Sequence, residues 1–211
     1  MTTIQLTHDD PRGILLFAPG AGGDPTRYER LLTAANEAGF IVASPTHELA
    51  ESYPDEVLHE RVSALRAPLA EIGRDDLPVV AAGHSLGGFA ALCLAGGRPR
   101  ARDGRLIEVP VESRVTRAVL LAPATGWFSG PDGVSEIAAP LTVMVGSEDD
   151  VTPPETADLL RGAPVPMDLR RYEGVGHFDF MSPLPPNKEP VVDDFDGFQE
   201  RFVADFLAAL G

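Results

Sequence analysis

The sequence predicts an α/β fold: a mainly parallel sheet flanked by helices, with no large cap domain. Three observations predict it. Strand-sized apolar runs alternate along the chain with stretches whose apolar residues recur at helical spacing. The runs at residues 13–18, 40–43 and 79–82 are apolar almost throughout, as expected of strands buried on both faces. The last of them leads directly into Gly83-His84-Ser85-Leu86-Gly87 and then a helix-like apolar stretch. That pattern is a serine on a sharp strand-to-helix turn.

The elements follow in order. Residues 13–18 form a buried strand ended by Pro19 and a glycine-rich turn. Residues 28–38 carry helical spacing, and Gly39 supplies the stop. Residues 40–43 make the next strand. A long helix is expected across 54–72, with Val57, Leu58, Val62, Leu65 and Leu69 as its inward stripe. Residues 79–82 lie below Ser85, and further strands are expected at 115–121, 139–145 and 166–172. An amphipathic helix at 195–210, carrying Phe198, Phe202, Phe206 and Leu207, closes the chain. Right-handed crossovers would gather the loops at the C-terminal ends of the strands.

Composition narrows the classes. A length of 211 residues, 44% of them hydrophobic, fits one domain over 1–211 with a substantial core. No apolar run is long enough for a transmembrane helix. Residues 1–10 lack the basic region and apolar core of a secretion signal. A cytoplasmic location is therefore expected, although a mature exported chain would look the same. Thirty-two acidic against 17 basic residues give a formal charge of −15, which opposes binding to nucleic acid or anionic membranes. Cys93 is the single cysteine, so no internal disulfide can form, and its apolar context reads as core filler. Residues 97–105 are a basic, turn-rich anomaly that reads as a surface loop leading a small hairpin through 106–109. No repeat or coiled-coil pattern demands assembly, so a monomer is the default.

A serine hydroxyl is a poor nucleophile without a base, usually a histidine oriented by a carboxylate. His177 is the one histidine after Ser85 and sits in a glycine-flexed, aromatic loop beyond the last strand. The acid should end an earlier strand. Asp149, after residues 139–145, is preferred to Asp150, with Glu148 and Asp179 as weaker options. The Pro19-Gly20-Ala21-Gly22-Gly23 turn lacks the Lys-Ser/Thr of a phosphate loop. It suits an exposed amide, so the Ala21 and Leu86 N–H groups are the preferred oxyanion donors. The histidines show no compact metal-ligand spacing, so no metal or cofactor is expected.

Jointly, these segments resemble the α/β-hydrolase family, and within it the small dienelactone-hydrolase-like and platelet-activating-factor-acetylhydrolase-like esterases. The likeness runs from residues 17–23 through 39–43, 83–87 and 146–149 to 176–180. It implies Ser85 as nucleophile, Asp149 as acid, His177 as base, and Ala21 and Leu86 as oxyanion donors. Two departures stand out. A dienelactone hydrolase typically carries cysteine where this chain has Ser85, and the common His-Gly of the oxyanion loop is here Pro19-Gly20, similar to some polyester hydrolases and cutinases. The implied reaction is hydrolysis of a small or accessible polymeric ester through an acyl-enzyme. Thioesters, peptides and a noncatalytic binding role are the alternatives. The stretch between Ala124 and Pro140 is too short for a large cap, which implies an open site. Trp127 and Phe128 are placed to form one apolar wall, and Phe178, Phe180 and Met181 another.

Overall fold

The computed structural model describes residues 3–211. Met1 and Thr2, the start of the stretch read above for a secretion signal, lie outside it. Among the described residues seven strands form one sheet: β1 (Thr3–Leu6), β2 (Gly13–Ala18), β3 (Phe40–Pro45), β4 (Val79–His84), β5 (Val115–Leu121), β6 (Leu141–Gly146) and β7 (Met167–Tyr172). Their spatial order is β1-β3-β2-β4-β5-β6-β7. All neighbours pair parallel except β1, which runs antiparallel to β3 at the edge. The sequence reading had assigned no strand to this first segment.

The continuous apolar strands are explained by burial from both sides. Successive residues of β2 point to opposite faces: Ile14, Leu16 and Ala18 enter one core, Leu15 and Phe17 the other. The first core is covered by α2 (Asp55–Arg66), α3 (Pro68–Ile72) and α4 (Leu86–Leu94). The second is covered by α1 (Glu29–Glu37) and α5 (Phe195–Leu210), whose Phe198, Phe202 and Phe206 are fully buried. Cys93 is also fully buried, and burial pushes its thiol well above the ordinary range, in keeping with a filler role.

Differences from the sequence reading have local causes. The expected helix over 54–72 is two helices parted at Ala67, because Pro68 has no N–H to continue the ladder and instead opens α3. The expected helix start at Tyr28 is a 3-10 turn, Pro25–Tyr28, capped by the Asp24 side chain. The anticipated 106–109 hairpin reduces to a single bridge between Arg100 and Leu106. In the basic loop Arg98, Arg100 and Arg105 are paired with Glu136, Asp132 and Asp55 respectively, so most of its charge is neutralised in place.

The turn between β4 and α4 is tightly packed against backbone. Ser85 adopts φ 54° and ψ −118°, a left-handed conformation that an L-residue adopts only under constraint. Its N–H donates to the Leu121 carbonyl (2.8 Å), and its own carbonyl accepts from Ala124 (3.0 Å), which ties the turn to the end of β5. A β-carbon at Gly87 would run into the Ala18 carbonyl oxygen, and one at Gly83 into the Gly87 carbonyl. Gly87→Ala should therefore destabilise the fold by at least ~2 kcal/mol, read as a Tm lowered by roughly 4–8 °C. An unchanged melting curve would contradict this account of the turn.

Candidate active site

Four loops, after β2, β4, β6 and β7, line a cavity of about 400 Å³ at the C-terminal ends of the strands. Ser85 and His177 both line it, together with Ala21, Phe178 and Met181. Ser85 stands at the head of α4, and its hydroxyl makes no capping bond to the helix. The side chain is therefore not occupied by the role that serine most often has in this position.

His177 opens a 3-10 turn, His177–Phe180, beyond β7. Its Nδ1 donates to Asp149 Oδ2 at 2.8 Å, and both side chains are buried. The hydrogen-bond pattern thus assigns the ring proton to Nδ1 and leaves the Nε2 lone pair free to accept. Asp149 follows β6, while neighbouring Asp150 is exposed, so Asp149 is the carboxylate turned to the ring. Asp149 is held on every side. Oδ1 accepts from the Val151 and Thr152 amides (2.9 and 2.7 Å), and Oδ2 also takes a contact from Thr152 Oγ1 at 2.9 Å. Burial alone would raise its pKa. The hydrogen bond and charge of His177, with the Thr152 amide and hydroxyl, outweigh that and hold it below the ordinary carboxylate range.

Among the described residues the Ala21 and Leu86 amides meet no acceptor of their own. Leu86 is the first residue of α4, where the helix supplies no acceptor. In the Gly20 turn the closing bond runs from the Gly23 N–H to the Gly20 carbonyl, and the Gly20 N–H goes to the Tyr28 hydroxyl. Ala21 N–H is left outside both.

Three residues that hold this loop were not found from sequence. Arg61, 3% exposed on α2, donates to the Gly20 carbonyl (3.2 Å) and the Ala21 carbonyl (2.8 Å). Its signal was a charge set inside the apolar stripe Leu58-Val62-Leu65. Tyr28 and His84 form a buried chain. His84 Nε2 lies 3.0 Å from the His177 carbonyl, which can only accept, so Nε2 carries the proton and Nδ1 accepts. The Tyr28 hydroxyl therefore donates to His84 Nδ1 (2.8 Å) and accepts from the Gly20 N–H (3.2 Å). The Gly20 loop, the Ser85 turn and the His177 loop are joined by one directed chain of hydrogen bonds. Burial, and then the nearness of His177, push His84 well below the ordinary imidazole value, so it stays neutral as this chain requires.

The anticipated aromatic walls divide. Phe178 and Met181 line the Ser85 cavity. Phe180 does not: it is 1% exposed and packs edge-on against Phe198 and Phe202 in the α5 core. Phe128 is fully buried against Phe89, and Trp127, also on Phe89, lines a separate cavity that shares no residue with the first. Asp179, a weaker candidate for the acid, instead accepts from the Gly176, Val191 and Val192 amides and braces the base loop. Among the described residues no group of three or more His, Cys, Asp or Glu side chains is arranged to hold a metal ion. No helix among them is long and apolar enough to cross a membrane.

Two outcomes test the chain through His84. Tyr28→Phe keeps the ring on Phe17 (4.7 Å) but removes the hydroxyl. It should lower kcat for any reaction at Ser85 by about tenfold with KM little changed, because the Gly20 turn loses its anchor. The second outcome concerns pH. Unfolded, His84 takes a proton near 6.5, whereas folded it resists protonation. The unfolded chain then binds more protons below that value, so stability present above it is lost as pH falls. His47, lowered to about 4 by burial and by the charge of Arg61, adds with the same sign. The Tm should fall between pH 6.5 and about 5, and the His47→Gln/His84→Gln double variant should be flatter over that window.

The comparisons agree with this architecture. A sequence model of the alpha/beta hydrolase family matches residues 15–141. No curated protein sequence matches the chain significantly. Among solved structures, a monoacylglycerol lipase from Paleococcus ferrophilus superposes with a TM-score of 0.67 at 17% identity, covering 99% of this chain and 100% of the other. The thermophilic esterase Est2 of Thermogutta terrifontis, propionate bound, gives 0.63 at 18% identity, with 96% and 85% covered. Esterase 2 of the same species, phosphorylated by paraoxon, gives 0.62 at 17%, with 93% and 84% covered. At these identities the likeness establishes the fold.

Proposed function

The chain belongs to the alpha/beta hydrolase family, and from that premise we propose that it is a serine-dependent carboxylic ester hydrolase acting on short-acyl or otherwise accessible esters. The observation that carries the reading is the 2.8 Å bond from His177 Nδ1 to a buried, multiply held Asp149, with the same histidine sharing a cavity wall with Ser85.

In the proposed reaction Ser85 Oγ attacks the ester carbonyl carbon while His177 Nε2 accepts the hydroxyl proton. Asp149 orients the ring and stabilises its charged form. The carbonyl oxygen becomes an anion that receives the Ala21 and Leu86 N–H groups. When the tetrahedral intermediate collapses, the C–O bond to the alcohol breaks and His177 returns its proton to the departing oxygen. Water then enters, gives a proton to His177, and attacks the acyl-serine carbon. Collapse releases the carboxylic acid and restores the Ser85 hydroxyl with the proton held on His177. Each step uses only the chain's own residues and water.

The solved relatives support an ester substrate, since they include an esterase bound to propionate and a monoacylglycerol lipase. A thioester would follow the same path with a thiol leaving. The proposal carries with it one domain over 1–211, a cytoplasmic location and a monomer.

Initial rates on chromogenic esters should be abolished in Ser85→Ala. Asp149→Asn should retain the fold and lose about 10³–10⁴-fold in kcat, because the amide presents the wrong hydrogen-bond character to His177 Nδ1. Equal rates in intact protein and Ser85→Ala would overturn the nucleophile. Asp150→Asn should leave the rate within about twofold, as expected for an exposed surface change.

A further inference from the structure

Among the described residues no large cap covers the site, yet one segment walls it in part. Residues 183–190 contain Pro183, Pro185, Pro186 and Pro190 and have neither helix nor strand. This segment crosses beside the catalytic cavity, and Pro185 and Pro186 form part of its wall. Proline fixes φ, so such a segment is stiff without secondary structure.

Both ends are tied to elements that build the site. At one end the Arg27 guanidinium donates to the Leu184 carbonyl (2.6 Å), and the Ser182 amide donates to the Arg27 carbonyl (2.7 Å). Arg27 belongs to the turn that directly follows the oxyanion loop and is steadied by Asp24 at 3.3 Å. At the other end the Asp179 carboxylate receives the Val191 and Val192 amides, both at 3.0 Å, and Asp179 is fully buried in the base loop. Between them the Lys188 amide closes a turn onto the Pro185 carbonyl, and the Lys188 ammonium lies 4.6 Å over the Phe178 ring. Phe178 is itself a wall of the cavity. The segment thus spans from the oxyanion side to the base side of Ser85 and is anchored at each.

We propose that residues 183–190 are a fixed proline strap, and that Pro185 and Pro186 set the acyl-length limit of the Ser85 site. The inference rests on the ester-hydrolase reading. A cavity of about 400 Å³ lies toward the small end of ligand sites. With the strap pinned, the wall stays rigid and the cavity cannot lengthen to take a long chain. Short acyl groups fit within it, whereas a decanoyl chain must displace Pro185 and Pro186 from their anchors. Arg27 both lines the cavity and holds the strap through the Leu184 carbonyl.

The test is the ratio of kcat/KM on p-nitrophenyl decanoate to that on p-nitrophenyl butyrate. It is measured on the full chain, on the Pro185→Gly/Pro186→Gly double variant and on the Pro185→Ala/Pro186→Ala double variant. A ratio cancels any general loss of activity, which a merely structural defect would produce on both esters alike. The intact protein should favour butyrate, and each variant should raise the ratio by at least about tenfold. The alanine pair keeps a β-carbon at each position, so it decides the matter even where the glycine pair does not fold. A ratio unchanged within about twofold in a folded variant overturns the strap. Absence of Ser85-dependent hydrolysis in the intact protein overturns the ester-hydrolase reading, and the strap with it. An unchanged ratio alongside Ser85-dependent hydrolysis overturns the strap alone.

Discussion

Holding a serine at φ 54° between β4 and α4 requires that nothing else occupy the space into which its backbone turns. Gly83 and Gly87 meet that condition, because a β-carbon on either would collide with backbone. The consequences spread outward. The close approach of α4 to the Ala18 carbonyl places the first amide of α4 beside the loop that leaves β2. The same turn is locked to β5 through Leu121 and Ala124, and β6, which leads to Asp149, is the next neighbour of β5. Strain stored in one residue is offset by the hydrogen bonds and apolar packing of the two strands on either side.

A second constraint follows from burial. His84 and Tyr28 lie in the apolar core, where an unpaired polar atom costs more than a hydrogen bond normally contributes. The directed chain from Gly20 N–H through Tyr28 and His84 to the His177 carbonyl satisfies both side chains. In doing so it sets the distance between the Gly20 loop and the His177 loop. Arg61 does similar work from the other core, by fastening the Gly20 and Ala21 carbonyls. The Gly20 loop is short of internal bonds and depends on these attachments and on the His47 N–H, which donates to the Gly23 carbonyl.

Most of the architecture was legible in the sequence because parallel strands buried on both faces leave continuous apolar runs. Strands β2 and β5 matched their expected bounds for this reason, and helix α5 matched because its buried phenylalanines recur at helical spacing. Ser85, Asp149 and His177 could be named as candidates because their signals are local: a glycine-flanked turn and two polar loops at strand ends. The break at Pro68 was also local, but the stripe that continued through Leu69 masked it. Tyr28 and Arg61 were hidden because their partners lie far along the chain, at His84 and at Gly20 and Ala21. Phe128 and Phe180 show the same limit in reverse: an aromatic beside a catalytic loop reads as a wall, and only packing against Phe89 or α5 assigns it to the core. The proline strap has no periodicity at all, so its sequence reads as an ordinary loop until Arg27 and Asp179 are seen to hold it.

The central claim is that Ser85 is a nucleophile activated by His177. Its most direct measurement is covalent labelling with paraoxon, followed by mass spectrometry of the intact protein and of its peptides. One diethylphosphoryl group on Ser85, absent from Ser85→Ala and much slower to form in His177→Ala, is the predicted result. A folded protein that takes no label, or takes it equally at another residue in Ser85→Ala, would contradict the account.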